Sequence, residues 1–302
     1  MDISQQIVFA LAVFAFGLSF LVFVKTFRKE IASMGPKRIA LYLVLILFAV
    51  GFLLPIWVAF TTSLKTDAEV AESNPLLPPT SPTSSAYSEA LGELGRPMIN
   101  SLIFTTGVVV CSVFIGSFMA YIFSKVRFRY GNLAFMILIA GMFLPYTTIV
   151  YPLFSTMSGL NLAKTIQGMI FVHVVYGIPI CTLLFSNFYT EIPQSIIDRA
   201  RRRGAGDWEI YHKIILPASG TAILTVVIYQ FTSIWNDFLF GLILGGAKTQ
   251  AMPVTVALYG LQGYRWSLLM AGAIITFIPV VLVYIFLGKY FVRGVAGKTS
   301  EE

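Results

Sequence analysis

The feature that most constrains this chain is the recurrence of apolar runs close to 20 residues long, the length at which a helix crosses the hydrocarbon of a bilayer. Seven runs reach or approach it, at 5–24, 39–61, 97–123, 132–155, 166–188, 217–240 and 268–288. The composition agrees with membrane burial: of 302 residues, 57% are hydrophobic and 12% charged, at a mean hydropathy of +0.81. A soluble domain carries about 25% charged residues, and so few charges could not cover a globular surface. The expectation is an all-α polytopic membrane protein with about seven transmembrane helices, not an ordinary cytoplasmic enzyme.

The net charge of +7 would suggest nucleic acid as a partner if the chain were soluble. Here the basic residues lie in loops, where they orient helices by staying cytoplasmic, and no nucleic acid is expected. With the N-terminus outside, the inside segments are 25–38, 124–131, 189–216 and 289–302, and they carry sixteen of the 21 Lys and Arg. The other five are Lys65, Arg96, Lys164, Lys248 and Arg265. The first run follows Asp2 and precedes Lys25, Arg28 and Lys29, the reverse of a cleaved signal, so it reads as a retained helix. Cys111 and Cys181 lie in apolar runs without Cys/His ligand spacing, so they read as small buried hydrophobes rather than zinc ligands.

Two outside loops stand out. Loop 62–96 holds Pro75, Pro78, Pro79 and Pro82 with five acids, and no helical or strand period survives the prolines. It reads as a surface loop or as a docking surface for an extracytoplasmic protein. Loop 241–267 has glycines at 241, 245, 246, 260 and 263 with Tyr259, Tyr264 and Trp266, residues that suit the lipid–water interface. A short interfacial helix is expected over 254–261, and Gly241 with Gly245 forms a small-xxx-small step that hints at close packing.

The inside loop 189–216 is too polar to span and too regular for a linker. Pro193 suits a helix start, and Ile196, Ile197 and Ala200 return to one face while Arg199, Arg201, Arg202 and Arg203 fill the rest. Gly204 and Gly206 break that helix. Asp207 is positioned to cap a second one, whose apolar residues are Trp208, Tyr211 and Ile214. Such an element either rests on anionic lipid or is a docking knob that passes a partner's movement to the two spans beside it.

This loop resembles the coupling motif of type I importer permeases of the ATP-binding-cassette superfamily. That motif has an acidic-Ala-Ala trio, a glycine four residues later and an aromatic-x-x-Ile-x-Leu-Pro end. Here Asp198, Arg199 and Ala200 precede Gly204 and Ala205, then Tyr211, Ile214, Leu216 and Pro217, with Ile192 and Pro193 as the lead-in. Asp198 stands where Glu is usual, Arg199 replaces an alanine, and Arg203 replaces the Asp that sugar permeases often carry. Asn100-Ser101, Ala120-Tyr121, 235–239 (WNDFL), 252–254 (MPV) and 290–294 (YFVRG) are similar to the carbohydrate branch, in particular to the shorter permease of the maltose-type pair.

The resemblance divides the chain into an additional N-terminal helix with its basic loop (1–38), a helix and Pro/Ser-rich loop (39–96), the permease core (97–294) and a cytoplasmic tail (295–302). It implies a bacterial or archaeal cytoplasmic membrane and a second permease subunit. It also implies two cytoplasmic ATP-binding subunits, which hold ATP and Mg, and an extracytoplasmic solute-binding protein. The chain itself would bind no cofactor and catalyse nothing. The tail 294–299 (GVAGKT) imitates a phosphate loop, but Val292 stands where the first glycine is required.

Polar residues within the runs either bond helix to helix or line a sugar path. The candidates for a path are Asn100, His173, Gln230, Ser233 and Asn236, while Asp237 lies near the outer end of its span. The solute expected by resemblance is a sugar or oligosaccharide. A polyamine or glycerol phosphate is the nearest competitor, and a secondary transporter or scaffold without an ATPase is the alternative of another kind.

Overall fold

The computed structural model describes residues 35–143, 145–263 and 265–296. The expectations for the run 5–24, the loop up to residue 34 and residues 297–302 lie outside the described residues. The chain divides into two units, 1–58 and 59–302. The first holds the greater part of α1 (Pro36–Ser63), which runs on into the second.

In the second unit, α2 (Asp67–Glu72) lies in the Pro/Ser-rich loop and is followed by α3 (Ser85–Lys125). Next come α4 (Gly131–Ala140), prolonged by a 3-10 turn to Phe143, then α5 (Tyr146–Gly159) and α6 (Ile166–Thr190). The polar segment forms α7 (Gln194–Arg202) and α8 (Asp207–Ile210), with a π-helical turn at Tyr211–Ile215 leading into α9 (Leu216–Ala218). The chain ends with α10 (Gly220–Trp235), a second π-helical turn (Gly241–Gly245), α11 (Val254–Gly260) and α12 (Trp266–Ala296). Among the described residues four helices are long and apolar enough to cross a membrane, and the number of spans is six if each of two bent pairs counts as one. The protein is therefore an all-α, multi-pass membrane chain.

Two departures from the expected spans, and one from an expected burial, have physical causes. The run 132–155 is two helices bent by 99° rather than one rod, and Pro145 precedes the second of them without an N–H to continue the first. The helix expected from 97 begins at Ser85, with Pro97 inside it. At 41 residues α3 is about 60 Å long, about twice the hydrocarbon thickness. Its added turns bury Ala86, Ala90 and Leu94, one helical stripe, against Val254, Ala257 and Leu261 around α11. Cys181 is buried, but Cys111 is exposed, because it falls on the outward side of α3.

Loop 62–96 is not a plain surface loop. The ammonium of Lys65 is buried and donates to Ser73 Oγ and the Asn74 carbonyl, both at 2.9 Å. Arg265 pairs with Asp67 at 3.1 Å and also with Glu89, which ties α2, α3 and the start of α12 together. Glu69 accepts from the Thr80 backbone N–H at 2.6 Å, and that bond holds its carboxyl below the usual range. Gly241 and Gly245 lie against Pro253, so the small-xxx-small step does mark close packing.

Candidate functional site

The polar segment 189–218 folds as a compact element at one end of the bundle. Pro193 occupies the N-cap of α7, where its missing N–H is no loss. Ile197, Ile210, Tyr211 and Ile215 are fully buried in one cluster with Val113, Ala120 and Tyr121 of α3, Phe185 and Tyr189 of α6, and Val226 of α10. Ile192, Ala200, Ala205, Ile214 and Leu216 pack against the same cluster, while Pro217 is exposed. The opposite face leaves Arg199, Arg202, Arg203, Trp208 and His212 exposed.

Gly204 makes the reversal between α7 and α8. Its φ of +88° lies in the region open to glycine and strained for other residues. Its N–H reaches the Arg201 carbonyl at 2.9 Å, and the Ala200 carbonyl receives the N–H groups of Arg203 and Ala205 at 3.0 and 3.2 Å. Asp198 accepts only a long 3.3 Å bond from Gln194 Nε2 and stays partly exposed. Asp207 does not cap α8, because Gly206 takes that position. Its carboxylate instead accepts from Arg201 at 2.7 Å and from the Tyr121 hydroxyl at 2.9 Å. The Arg201 bond, then the Tyr121 bond, hold its carboxyl below the usual aspartate range.

The buried hydroxyls of this element are all paired. Tyr211 donates to Ser117 Oγ at 3.0 Å, and Ser117 and Tyr189 share a bond of 2.6 Å. Lys125, at the end of α3, donates to the Ile192 carbonyl at 2.6 Å. Asp207–Ala218 meets α10 at 81°, so it lies across the end of that span rather than prolonging it. Through the buried cluster the element is packed against α3, α6 and α10 at once.

A second feature is a cleft of about 620 Å³ between α6, α10 and the turn after it. His173, Gln230, Ser233 and Asn236 line it, together with Tyr176, Tyr229, Asp237 and Phe240. The α6 residues recur as His173, Tyr176, Gly177 and Ile180, and the α10 residues as Tyr229, Gln230 and Ser233, at steps of three and four. Asn100 is elsewhere: its amide donates to the carbonyls of Gln250 and Met252 at 2.8 and 3.0 Å, which fixes the segment before α11. Asn236 Nδ2 donates to the Thr232 carbonyl at 2.9 Å.

The cleft is not fully satisfied. His173 Nδ1 is 2.8 Å from the Met169 carbonyl, but its buried Nε2 has no aligned partner. Asp237 Oδ2 is 3.4 Å from that nitrogen, near enough for a charge contact, and itself accepts from the Gly241 N–H at 2.9 Å. Gln230 Nε2 is also buried without a partner. Its side chain fits the notch left by Gly177, where any Cβ would overlap the amide. Tyr176, Tyr229 and Phe240 were not singled out in the sequence, although their spacing with His173 and Gln230 was there to be read.

Comparison with known proteins shows the family. Residues 112–297 match the family model described as "Binding-protein-dependent transport system inner membrane component". The chain is 46% identical over 264 residues to a "Probable ABC transporter permease protein" of Pyrococcus horikoshii, covering 86% of this chain and 96% of that one. It is 32% identical to a xylose/arabinose import permease protein of Haloferax volcanii, covering 87% and 94%. A chain in the crystal structure of a bacterial ABC transporter involved in the import of the acidic polysaccharide alginate superposes with a TM-score of 0.73 at 25% identity, covering 84% and 95%.

Proposed function

The chain belongs to the binding-protein-dependent transport system inner membrane component family, the membrane permeases of ABC-type importers, and from that premise we propose that it moves a sugar or oligosaccharide. The observation that carries the reading is the 189–218 element, buried on one face against three spans and exposed on the other. In this reading the exposed face docks into one of two cytoplasmic ATPase subunits, with Asp198 free to meet a basic residue there. Closure of the ATPase pair on ATP and Mg moves the element, and α3, α6 and α10 move with it. The membrane cavity then opens outward, and hydrolysis reverses the motion.

The cleft supports the solute class. Aromatic rings beside an amide, a hydroxyl, a carboxylate and an imidazole are the groups that recognise a polyhydroxylated ring, and its lining contains no Lys or Arg for a phosphate. His173, Gln230, Ser233 and Asn236 would contact solute, whereas Asn100 would act by holding the segment before α11. The pentose importer and the alginate importer point the same way. The finer reading is a shorter permease of the maltose-type pair. It would have seven spans counting 5–24, the N-terminus outside, a second permease beside it and an extracytoplasmic binding protein docked above.

The test is purification of the protein in mild detergent, identification of its partners by mass, and solute-stimulated ATPase activity in liposomes across a sugar panel. The reading expects an ATPase and a second permease to co-purify and at least one sugar to stimulate hydrolysis. Transport driven by an ion gradient without an ATPase would overturn it in favour of a secondary transporter. Stimulation by polyamine or glycerol phosphate alone would overturn the sugar assignment.

A further inference from the structure

A pocket of about 660 Å³ opens where α3 ends and α4 begins, on the same side as the 189–218 element. Its lining includes Lys125, Arg127, Arg129, Asn132 and Gln194 and no carboxylate. Lys125 is 5% exposed, and among the described residues its ammonium has one hydrogen-bond partner, the Ile192 carbonyl. A buried ammonium with a neutral partner lacks a counter-ion, an expensive arrangement unless an anion arrives. Arg127 and Arg129 are exposed and enter no ion pair among the described residues; Arg129 rests over the Tyr130 ring at 5.3 Å. The cationic lining therefore comes with no anion of its own.

The surroundings indicate where that anion comes from. Phe128, Tyr130, Leu133 and Met136 are exposed around and beyond the pocket, and α4 is the first half of a bent membrane segment. Basic groups at the level where a span begins, with bare apolar side chains beneath them, match a headgroup above its acyl chains.

We propose that this pocket binds the phosphodiester headgroup of an anionic phospholipid, with Lys125, Arg127 and Arg129 as its cationic ligands and α4 facing its acyl chains. The lipid would then share Lys125 with the Ile192 carbonyl and Gln194, whose Nε2 is 3.5 Å from the Lys125 carbonyl, and so brace the joint between α3 and the coupling element. The inference goes beyond the transport reading and takes from it only which leaflet is concerned.

Two measurements test it. In the first, the complex is purified from membranes containing phosphatidylglycerol and the retained lipid is counted by mass. Arg127→Gln with Arg129→Gln is expected to lower retained phosphatidylglycerol, by roughly five-fold for each arginine, whereas Lys248→Gln leaves it as in the unaltered protein. In the second, amide hydrogen exchange over 126–136 is followed in the unaltered complex in phosphatidylcholine discs, in discs with added phosphatidylglycerol, and in phosphatidylcholine with inorganic phosphate. Slower exchange with phosphatidylglycerol alone supports the proposal. Equal slowing by inorganic phosphate would assign the pocket to a soluble anion and overturn it. Unchanged lipid retention in the double variant, with or without loss of the ATPase subunits, would overturn it too. None of these outcomes depends on which solute is carried, so a failed sugar panel leaves the test intact.

Discussion

The 189–218 element packs against α3, α6 and α10, the cleft lies between α6, α10 and the turn after it, and the two treat buried polar groups in opposite ways. In the 189–218 element and the end of α3 beside it Tyr211, Ser117, Tyr189 and Lys125 are each paired, next to a cluster whose side chains are almost wholly buried. Four buried side-chain polar atoms lack a partner among the described residues; two of them, on His173 and Gln230, line the cleft and none lies in the coupling element. A satisfied network fixes one geometry, which would suit the transmission role proposed for the 189–218 element. An unsatisfied polar atom at a cleft costs stability, and a solute hydroxyl that bonds to it would recover that cost.

The largest test of this contrast is Tyr211→Ala. It removes a fully buried ring from the cluster together with its bond to Ser117, which keeps only Tyr189, and it is expected to cost about 3–5 kcal/mol. Thermal melting of the purified complex, with recovery of assembled ATPase, reads the loss. A shift no larger than that of an exposed substitution such as Lys248→Ala would mean that the cluster is not the rigid body described.

Gly204→Val comes next. A β-branched residue at φ +88° is strained by roughly 2 kcal/mol, although a Cβ there would meet nothing. The strain falls on the turn itself, so the expected signature is hydrolysis that no longer responds to solute while the spans remain folded. If solute stimulation survives at its normal ratio, the α7–α8 reversal is not part of transmission.

Gln230→Met turns the comparison around. It deletes a buried donor without a partner and keeps the approximate length of the side chain. Stability should be unchanged or higher by up to about 1 kcal/mol, while sugar transport falls about ten-fold, the equivalent of one hydrogen bond to solute. A destabilised protein with normal transport would show instead that Gln230 serves the packing of α6 on α10 at Gly177.

The two regions were also unequally legible in sequence. The coupling element is local: Pro193, the apolar stripe at Ile197, Gly204 and Tyr211 are close in the chain, so periodicity and breakers suffice to place two helices. What could not be read is tertiary. Asp207 sits where an N-cap belongs, but Arg201 and Tyr121, the latter 86 residues away, claim its carboxylate, and Gly206 caps instead. The cleft joins residues of two helices with the turn after α10, so single polar positions such as Asn100 and Gln230 look equivalent until their partners are known. The run expected from 97 is extended in the same way: Pro97 sits inside α3, because the stripe Ala86, Ala90 and Leu94 is buried by contacts made with 254–261.

The smallest expected effect separates the charged tie of the coupling element from its neutral ones. Arg201 and then Tyr121 hold the Asp207 carboxyl below its usual range, so the folded state favours the ionised form. A depressed carboxyl contributes stability that is complete above the ordinary aspartate range near pH 4 and disappears as pH falls through its lower folded value. Asp207 is about half exposed, at 47%, so water screens the pair and its worth should stay below about 1 kcal/mol. Asp207→Asn keeps an oxygen for the Tyr121 hydroxyl and removes only the charge facing Arg201. The melting difference between this variant and the unaltered complex should therefore be present at neutral pH and vanish on acidification. The difference for Tyr211→Phe, which removes a neutral bond to Ser117, should stay flat over the same range. An Asp207→Asn difference that is also flat would mean that the carboxylate acts only as an acceptor for Tyr121, and that the coupling element is held by packing and neutral hydrogen bonds alone.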